Sequence, residues 1–290
     1  VNGSGGTVSS AEATTIGAST RLFAVLGDPV GHSLSPTVQN AAIRAAGLDA
    51  VYVALRCDAR GLEGLMRGIA LAGGGGNVTV PHKEAAVRAV DVPSELVRTT
   101  GACNTFWARD GVIHGDNTDV PGFRGALGSL LGGSPRGLRA LLLGAGGAAR
   151  GALVGLLLDE VASVAVWNRT FERAERLCVE LGRGRAKPIG SLAEGGDFDL
   201  LVNGTSVGLS RPDDLPLDLD RVHVKAVLDL VYRPEETALV RAARDRGILA
   251  ADGGEMLVRQ GAEAFERWWD GPAPLRVMLD ALASVRSKRG

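Results

Sequence analysis

The chain has 290 residues, of which 45% are hydrophobic and 22% charged, with a formal net charge of −1. That is the balance of a globular protein with one large or two ordinary domains. The absence of a basic excess argues against a general nucleic-acid or anionic-membrane binder, and an aromatic share of 4% leaves too few rings for a base-stacking surface.

Cys57, Cys103 and Cys178 are dispersed and odd in number, which argues against a disulfide framework or a zinc site and fits a reducing, cytoplasmic setting. No apolar run is long enough to span a membrane. Glycine is abundant, at 41 residues, about twice its usual share.

Residues 1–20 are small and polar and lack the basic start and apolar centre of a secretion signal. They read as a disordered tail. Arg21–Gly27 then reads as a buried strand, followed by the loop GDPVGHSLSP and a helix entered at Pro36. Val51–Arg56 is a second strand. Gly61–Leu71 has helical spacing and stops at the glycine run Gly73–Gly76, and Asn77–Val80 is a third strand ended by Pro81. Helices are expected over Lys83–Val90 and Pro93–Thr99. A strand pair over Cys103–Ala108 and Val112–Asn117 should turn at Arg109-Asp110-Gly111, before a helix over Gly122–Leu131.

After the breaker Gly132-Gly133-Ser134-Pro135 a second series begins. Its strands are Ala140–Gly144, Ser163–Asn168 and the segments FDLLVN, KAVLDLVY and GILAAD, and its first two helices are Gly147–Leu158 and Thr170–Leu181. This is the pattern of a doubly wound sheet. Glu255–Trp269 and Pro274–Arg286 close the chain as two helices able to pack back onto the first domain. The fold class is therefore α/β with two domains. A first α/β domain over 21–121 is completed by 255–290, and a Rossmann-type nucleotide-binding domain covers 122–254.

Gly144, Gly146 and Ala149 match G-x-G-x-x-G/A between a strand and a helix. Gly144 permits the tight turn, Gly146 the approach of a pyrophosphate, and Ala149 close packing of helix on strand. Ala145, Gly147 and Ala148 complete the loop. The second strand of the series ends in Asn168-Arg169-Thr170, where a sheet selecting NAD carries an acid for the ribose 2′-hydroxyl. An arginine and a hydroxyl instead suit a 2′-phosphate, with Arg173 one turn on, and NADP is the expected cofactor. The plain alternative is a solvated surface arginine.

Ser33 and Ser35 precede a helix and suit a carboxylate site, although Ser35 alone could be a helix cap. Lys83 follows a strand end and Asp119 stands at the expected join of the domains, where ligand clefts often lie. A lysine tuned by an aspartate can exchange a proton with an alcohol as hydride leaves its carbon. Taken singly, Lys83 could as well be a surface residue and Asp119 a cap.

Together GDPVGHSLSP, GNVTVPHK, GACNTF, GDNTD, GAGGAARG, NRT, NGTSVG, DLVYRP and MLVRQGAEAF, in this order from Arg21 to the last helix, resemble the shikimate dehydrogenase family. The resemblance implies reversible NADPH-dependent reduction of 3-dehydroshikimate to shikimate in chorismate and aromatic amino acid biosynthesis. It implies that Ser33 and Ser35 hold the substrate carboxylate, that Asn77, Thr79, Asn104, Tyr232 and Gln260 line the substrate pocket, and that Lys83 and Asp119 are catalytic. It implies cofactor contacts from Asn168, Arg169 and Thr170, from Thr205, Ser206 and Val207, and from Gly253 and Met256.

The sequence departs from the family pattern at Gln39 (commonly His), at Val120-Pro121 after Asp119, and at Glu255 (commonly Gly). The expected partner is a small molecule, with no nucleic acid or membrane, and the chain is expected to be a monomer or homodimer. Two rival readings are a quinate/shikimate dehydrogenase using NAD and a non-catalytic shikimate-binding sensor. Ser35 and Arg169 weigh against the first, and retention of both Lys83 and Asp119 against the second.

Overall fold

The computed structural model describes residues 16–192 and 196–287. Residues 1–15 of the expected tail lie outside them. Within 16–20, the Ser19 and Thr20 hydroxyls donate to the Asp49 carboxylate at 2.7 and 2.6 Å.

Two six-stranded sheets organise the chain. The first contains β1 (Arg21–Gly27), β2 (Ala50–Arg56), β3 (Gly75–Val78), β4 (Val92–Pro93), β5 (Thr105–Arg109) and β6 (Val112–Asp116), in the order β2-β1-β3-β5-β6-β4. β1 runs parallel to β2 and β3, whereas β5 is antiparallel to β3 and β6. The β5–β6 hairpin turns at Asp110 and Gly111, both at positive φ, as a tight two-residue turn requires. Helices α1 (Ser35–Ala45), α2 (Leu62–Leu71) and α3 (Glu95–Thr100) belong to this part.

The second sheet contains β7 (Arg139–Leu143), β8 (Ser163–Trp167), β9 (Ala186–Pro188), β10 (Leu200–Asn203), β11 (Ala226–Asp229) and β12 (Leu249–Ala251). Its order is β12-β11-β10-β7-β8-β9, all parallel. The order reverses between β7 and β10, which is where such sheets open their ligand crevice. Helices α4 (Asp119–Leu131), α5 (Gly147–Leu158), α6 (Phe171–Leu181) and α7 (Ala238–Arg244) accompany it. β4, β9 and α7 carry no clear sequence period.

Helices α8 (Gly254–Trp269) and α9 (Leu275–Ser287) return to the first sheet and pack on α1. Val258, Phe265 and Met278 are buried there with Phe23 and Tyr52. Burial of each large apolar side chain contributes roughly 1.5–3 kcal/mol, which is what holds the chain's end so far from its own sheet.

The expected helix at Lys83–Val90 is only a 3-10 turn over Ala85–Ala89. The Lys83 carbonyl accepts from Cys103 N at 2.8 Å, so it is diverted from any helical ladder. The helix expected from Gly122 begins earlier, at Asp119, with Pro121 inside its first turn, where a missing N–H costs nothing.

The glycine run is not a mere stop. Gly75 and Gly76 lie inside β3, and a Cβ on Gly76 would fall 2.2 Å from the Ala24 carbonyl oxygen and 2.9 Å from the Phe106 ring. Gly76→Ala is therefore expected to destabilise the protein by about 2–4 kcal/mol, as overpacking against backbone does. Gly68→Ala, which faces open space in α2, should stabilise it by about 0.5–1 kcal/mol. Urea unfolding of the two variants checks both signs.

At the carboxyl end of the second sheet, Asp229 accepts from Asn203 Nδ2 at 2.8 Å, Thr237 Oγ1 at 2.7 Å and Val231 N at 3.1 Å. Burial nonetheless pushes its carboxyl up to about 6. A carboxyl whose pKa is raised on folding stabilises the native state below its unfolded value, near 3.8, and that gain disappears as pH rises through about 6. The stability of the wild type relative to Asp229→Asn should accordingly fall between pH 4 and 7, by about 3 kcal/mol at most. Unfolding curves at the two pH values measure it.

Candidate active site

Lys83 follows the end of β3, past the turn in which His82 N donates to the Thr79 carbonyl at 2.9 Å. Asp119 is the first residue of α4. Their side chains meet, with Lys83 Nζ 2.7 Å from Asp119 Oδ2, and are 14% and 5% exposed. Asn117 Oδ1 accepts from the Asp119 N–H at 3.1 Å and so fixes the start of the helix. A nearly dry ion pair of this kind is directional, and deleting one partner strands the other's charge.

Helix α5 presses on this pair. A Cβ on Gly147 would lie 3.4 Å from Lys83 Cδ, and one on Gly151 would lie 3.4 Å from Asp119 Cβ. The two glycines are four residues apart and hence on one helix face. The same helix carries Arg150, whose Nε donates to the Thr100 carbonyl and whose Nη2 pairs with Glu180 at 2.8 Å.

Beside the pair lies a buried polar network. Asn77 Nδ2 donates to Thr105 Oγ1 at 3.0 Å and to the Asn104 carbonyl at 3.2 Å. Asn104 Oδ1 accepts from Thr118 N at 2.8 Å, and its amide nitrogen faces Gln260 Oε1 at 3.4 Å. Gln260 Nε2 is anchored on the Leu257 carbonyl at 2.8 Å. Three predicted residues from β3, the segment before β5, and α8 thus converge. Thr79 is half-buried just beyond β3, and its hydroxyl has no partner among the described residues.

Ser35 is the first residue of α1 and not its cap; Leu34 takes that place without any side-chain hydrogen bond. The Ser33 hydroxyl instead accepts from Ser35 N at 3.2 Å, so the Ser35 hydroxyl is not spent on capping. Tyr232 is buried within electrostatic range of Ser33 and the Leu34 backbone. Burial raises its phenol pKa, and the Asp119 charge adds to the rise. Tyr232 thus lies within electrostatic range of both the serine loop and the ion pair.

The loop after β7 fits a dinucleotide. Gly144 has φ +102°, and a Cβ there would lie 2.9 Å from the Gly204 carbonyl oxygen. Gly146 is exposed, with nothing within 4 Å of its Cβ position, and caps α5 without a side-chain hydrogen bond. The open space and the uncapped helix N-terminus are what a pyrophosphate needs. Ala145, Gly147 and Ala148 are half-buried around it, and Ala149 packs under Gly204, whose Cβ position is 3.0 Å away.

On the other side of the switch point, Thr205 Oγ1 donates to Asn203 Oδ1 at 2.7 Å and accepts from Val207 N at 3.1 Å, which leaves Ser206 exposed. At the end of β8, Asn168 Nδ2 donates to the Thr170 carbonyl at 2.8 Å. Arg169 and Arg173 are exposed, and neither forms an ion pair among the described residues. Gly253 caps α8 against the Leu230 carbonyl, 2.3 Å from its Cβ position, and Met256 is buried one turn on. The unusual Glu255 pairs with Arg259 at 2.8 Å, and Arg259 reaches Ser129 on α4. Its charge is thereby neutralised within the α4–α8 contact.

Sequence reading missed Thr105, Thr118 and Tyr52, all buried members of the polar network, because each stands at a position that a strand or turn explains equally well. It also missed the contacts of Gly151 and Arg150. The four-residue spacing of Gly147 and Gly151 was the available signal.

Residues 25–106 match the model of the shikimate dehydrogenase substrate binding domain. Residues 129–206 match that of shikimate / quinate 5-dehydrogenase, and residues 253–283 the shikimate 5'-dehydrogenase C-terminal domain. The chain is 40% identical to the shikimate dehydrogenase (NADP(+)) of Methanopyrus kandleri over 92% of this chain and 97% of that protein. It is 45% identical to that of Rubrobacter xylanophilus, over 88% and 92%. The crystal structure of Thermus thermophilus shikimate 5-dehydrogenase in complex with NADP(H) and shikimate superposes with a TM-score of 0.84 at 37% identity, covering 92% of this chain and 100% of that one. The chain belongs to the shikimate dehydrogenase family.

Proposed function

We propose that the chain is an NADP-dependent shikimate dehydrogenase, interconverting shikimate and 3-dehydroshikimate in chorismate biosynthesis. The observation that carries this reading is the Lys83–Asp119 pair at 2.7 Å, set against Gly147 of the dinucleotide loop. Proton transfer and hydride transfer then take place side by side.

Ser33, Ser35 and Tyr232 receive the substrate carboxylate end. Asn77, Thr79, Asn104 and Gln260 hold its hydroxyls. Lys83 and Asp119 face the C3 hydroxyl. During oxidation the hydroxyl proton passes to the Lys83–Asp119 pair while the C3 hydrogen leaves with its electron pair and the C=O bond forms. When bound, the dinucleotide would supply the hydride acceptor as NADP and, in the biosynthetic direction, the hydride donor as NADPH.

Gly144–Ala148 would cradle the pyrophosphate at the α5 N-terminus. Asn168, Arg169, Thr170 and Arg173 would take the 2′-phosphate, and Thr205, Ser206, Val207, Gly253 and Met256 would hold the nicotinamide end. No helix among the described residues is long and apolar enough to cross a membrane, and the three cysteines are free and buried. Free cysteines fit action in a reducing compartment such as the cytoplasm.

Shikimate oxidation followed by NADPH absorbance tests the function, with NAD and quinate as competitors. Rapid NADP reduction with shikimate is expected. Preference for NAD or quinate would move the chain to the quinate-using branch, and shikimate binding without turnover would make it a sensor.

Lys83→Ala should lower kcat by about 10²–10⁴-fold, the usual contribution of general acid–base catalysis, while the Kd for shikimate changes far less. An unchanged kcat removes Lys83 from the chemistry. Arg169→Ala should raise KM for NADP by about tenfold or more, the worth of a charge-assisted hydrogen bond to phosphate. It should leave KM for NAD nearly unaltered, and equal effects on both cofactors would rule out a 2′-phosphate contact.

A further inference from the structure

Tyr52 lies on β2, in a segment that reads from its sequence as a plain strand. Its side chain is 1% exposed, packed among Phe23, Val38 and Phe265, with the Trp268 ring centroid 6.0 Å away. In a wholly apolar setting a phenylalanine would serve as well. A tyrosine there needs a partner for its hydroxyl, and it has one. Tyr52 Oη donates to Asn77 Oδ1 at 2.7 Å.

The direction of that bond is fixed by its surroundings. The Asn77 amide nitrogen is committed to a backbone carbonyl, that of Asn104, which can only accept. Asn77 Oδ1 therefore faces Tyr52, and only a donor satisfies it. With its proton committed, the phenol oxygen offers lone pairs on its remaining side. Ser35 and Tyr232 lie within electrostatic range of the phenol. The hydroxyl thus ties β2 to Asn77, at one wall of the proposed substrate pocket.

The backbone of Tyr52 is held as firmly as its side chain. Asn40 on α1 accepts from Tyr52 N at 2.9 Å and donates to the Tyr52 carbonyl at 2.7 Å. Helix α1, which begins with Ser35, is thereby pinned to β2 at Tyr52.

We propose that Tyr52 is a positioning residue of the substrate site, its O–H locking the Asn77 amide in place. The inference rests on the shikimate dehydrogenase reading and adds to it a residue that acts through its neighbours. Without the hydroxyl, Asn77 Oδ1 becomes a buried acceptor with no donor, a state costly enough to drive rearrangement. Thr105 and Asn104, next in the chain of hydrogen bonds, would shift with it. The Lys83–Asp119 pair is not part of this chain, so binding should suffer and the chemical step should not.

The test is steady-state kinetics of Tyr52→Phe, which keeps the ring and its packing. KM for shikimate should rise about tenfold, with kcat within about threefold of wild type and KM for NADP unchanged. A purely structural role would instead lower active enzyme and kcat together. A double-mutant cycle with Asn77→Ala separates direct from transmitted effects. Tyr52→Phe should add little to KM once Asn77 is gone.

Unchanged KM in Tyr52→Phe, or strictly additive effects in the cycle, would overturn the proposal. Tryptophan fluorescence, with Trp268 beside Tyr52 as reporter, gives shikimate Kd without turnover and should weaken in parallel with KM. A Kd left at the wild-type value would also overturn it. A wild-type enzyme that neither binds nor oxidises shikimate would defeat the function itself, an outcome distinct from a failure of the Tyr52 variant alone.

Discussion

Helix α5 is the part on which the two halves of the chemistry depend. Its first turn is open to solvent at Gly146 and points an uncapped N-terminus at the position a pyrophosphate needs. One face of the same turn lies on the stem of Lys83, and the next turn lies on Asp119. A methyl at Gly147 or Gly151 would already touch these side chains, and any longer side chain would displace them. Arg150, between the two glycines, ties the helix to the end of α3 through the Thr100 carbonyl. The cofactor loop and the proposed proton-transfer pair are therefore spaced by backbone and not by flexible side chains, which is how small errors of reacting distance are avoided.

The proposed substrate side is built on the opposite principle from an oily pocket. Asn77, Asn104, Thr105, Thr118 and Gln260 are all buried, and each would cost stability if left without partners. They are affordable because they satisfy one another and because three backbone groups, Asn104 O, Thr118 N and Leu257 O, fix which way the amides point. This explains why the chain returns to its first domain. Without α8, Gln260 and the Leu257 carbonyl are missing, and the network loses an acceptor for Asn104. The aromatic and aliphatic contacts of α8 and α9 with Phe23 and α1 supply the apolar burial that holds this return in place.

Much of this was legible in the sequence where local physics decides. The glycine loop between β7 and α5, the lack of an acid after β8 and the hairpin at Asp110-Gly111 are read from residue type and position alone. Other features depend on distant partners. Gly75 and Gly76 look like a breaker, yet they form strand because Ala24 and Phe106 leave no room for a Cβ. Ser35 has the look of a cap, yet it is the first residue of the helix, with its own N–H bonded to the Ser33 hydroxyl. The stretch after Lys83 has helical spacing, yet its first carbonyl is claimed by Cys103 across the loop. Tyr52 was invisible for a related reason. A tyrosine in a strand is ordinary, and only the arrival of Asn77 from another strand gives its hydroxyl a function.

The two ends of the proposed cleft thus differ in how they recognise charge. At the substrate end, the buried amides are oriented by one another and by backbone groups, while the Thr79 hydroxyl has no partner among the described residues, so a ligand must match donors and acceptors already set in place, and selectivity comes from the cost of leaving any of them unpaired. At the adenosine end, Arg169 and Arg173 are exposed and without ion-pair partners among the described residues. They forgo little hydration to meet a phosphate, and the planar guanidinium supplies the geometry. Rigid matching suits a small ring whose isomers must be told apart. Loose electrostatic capture suits a large cofactor that is distinguished by one phosphate and has to leave after every turnover.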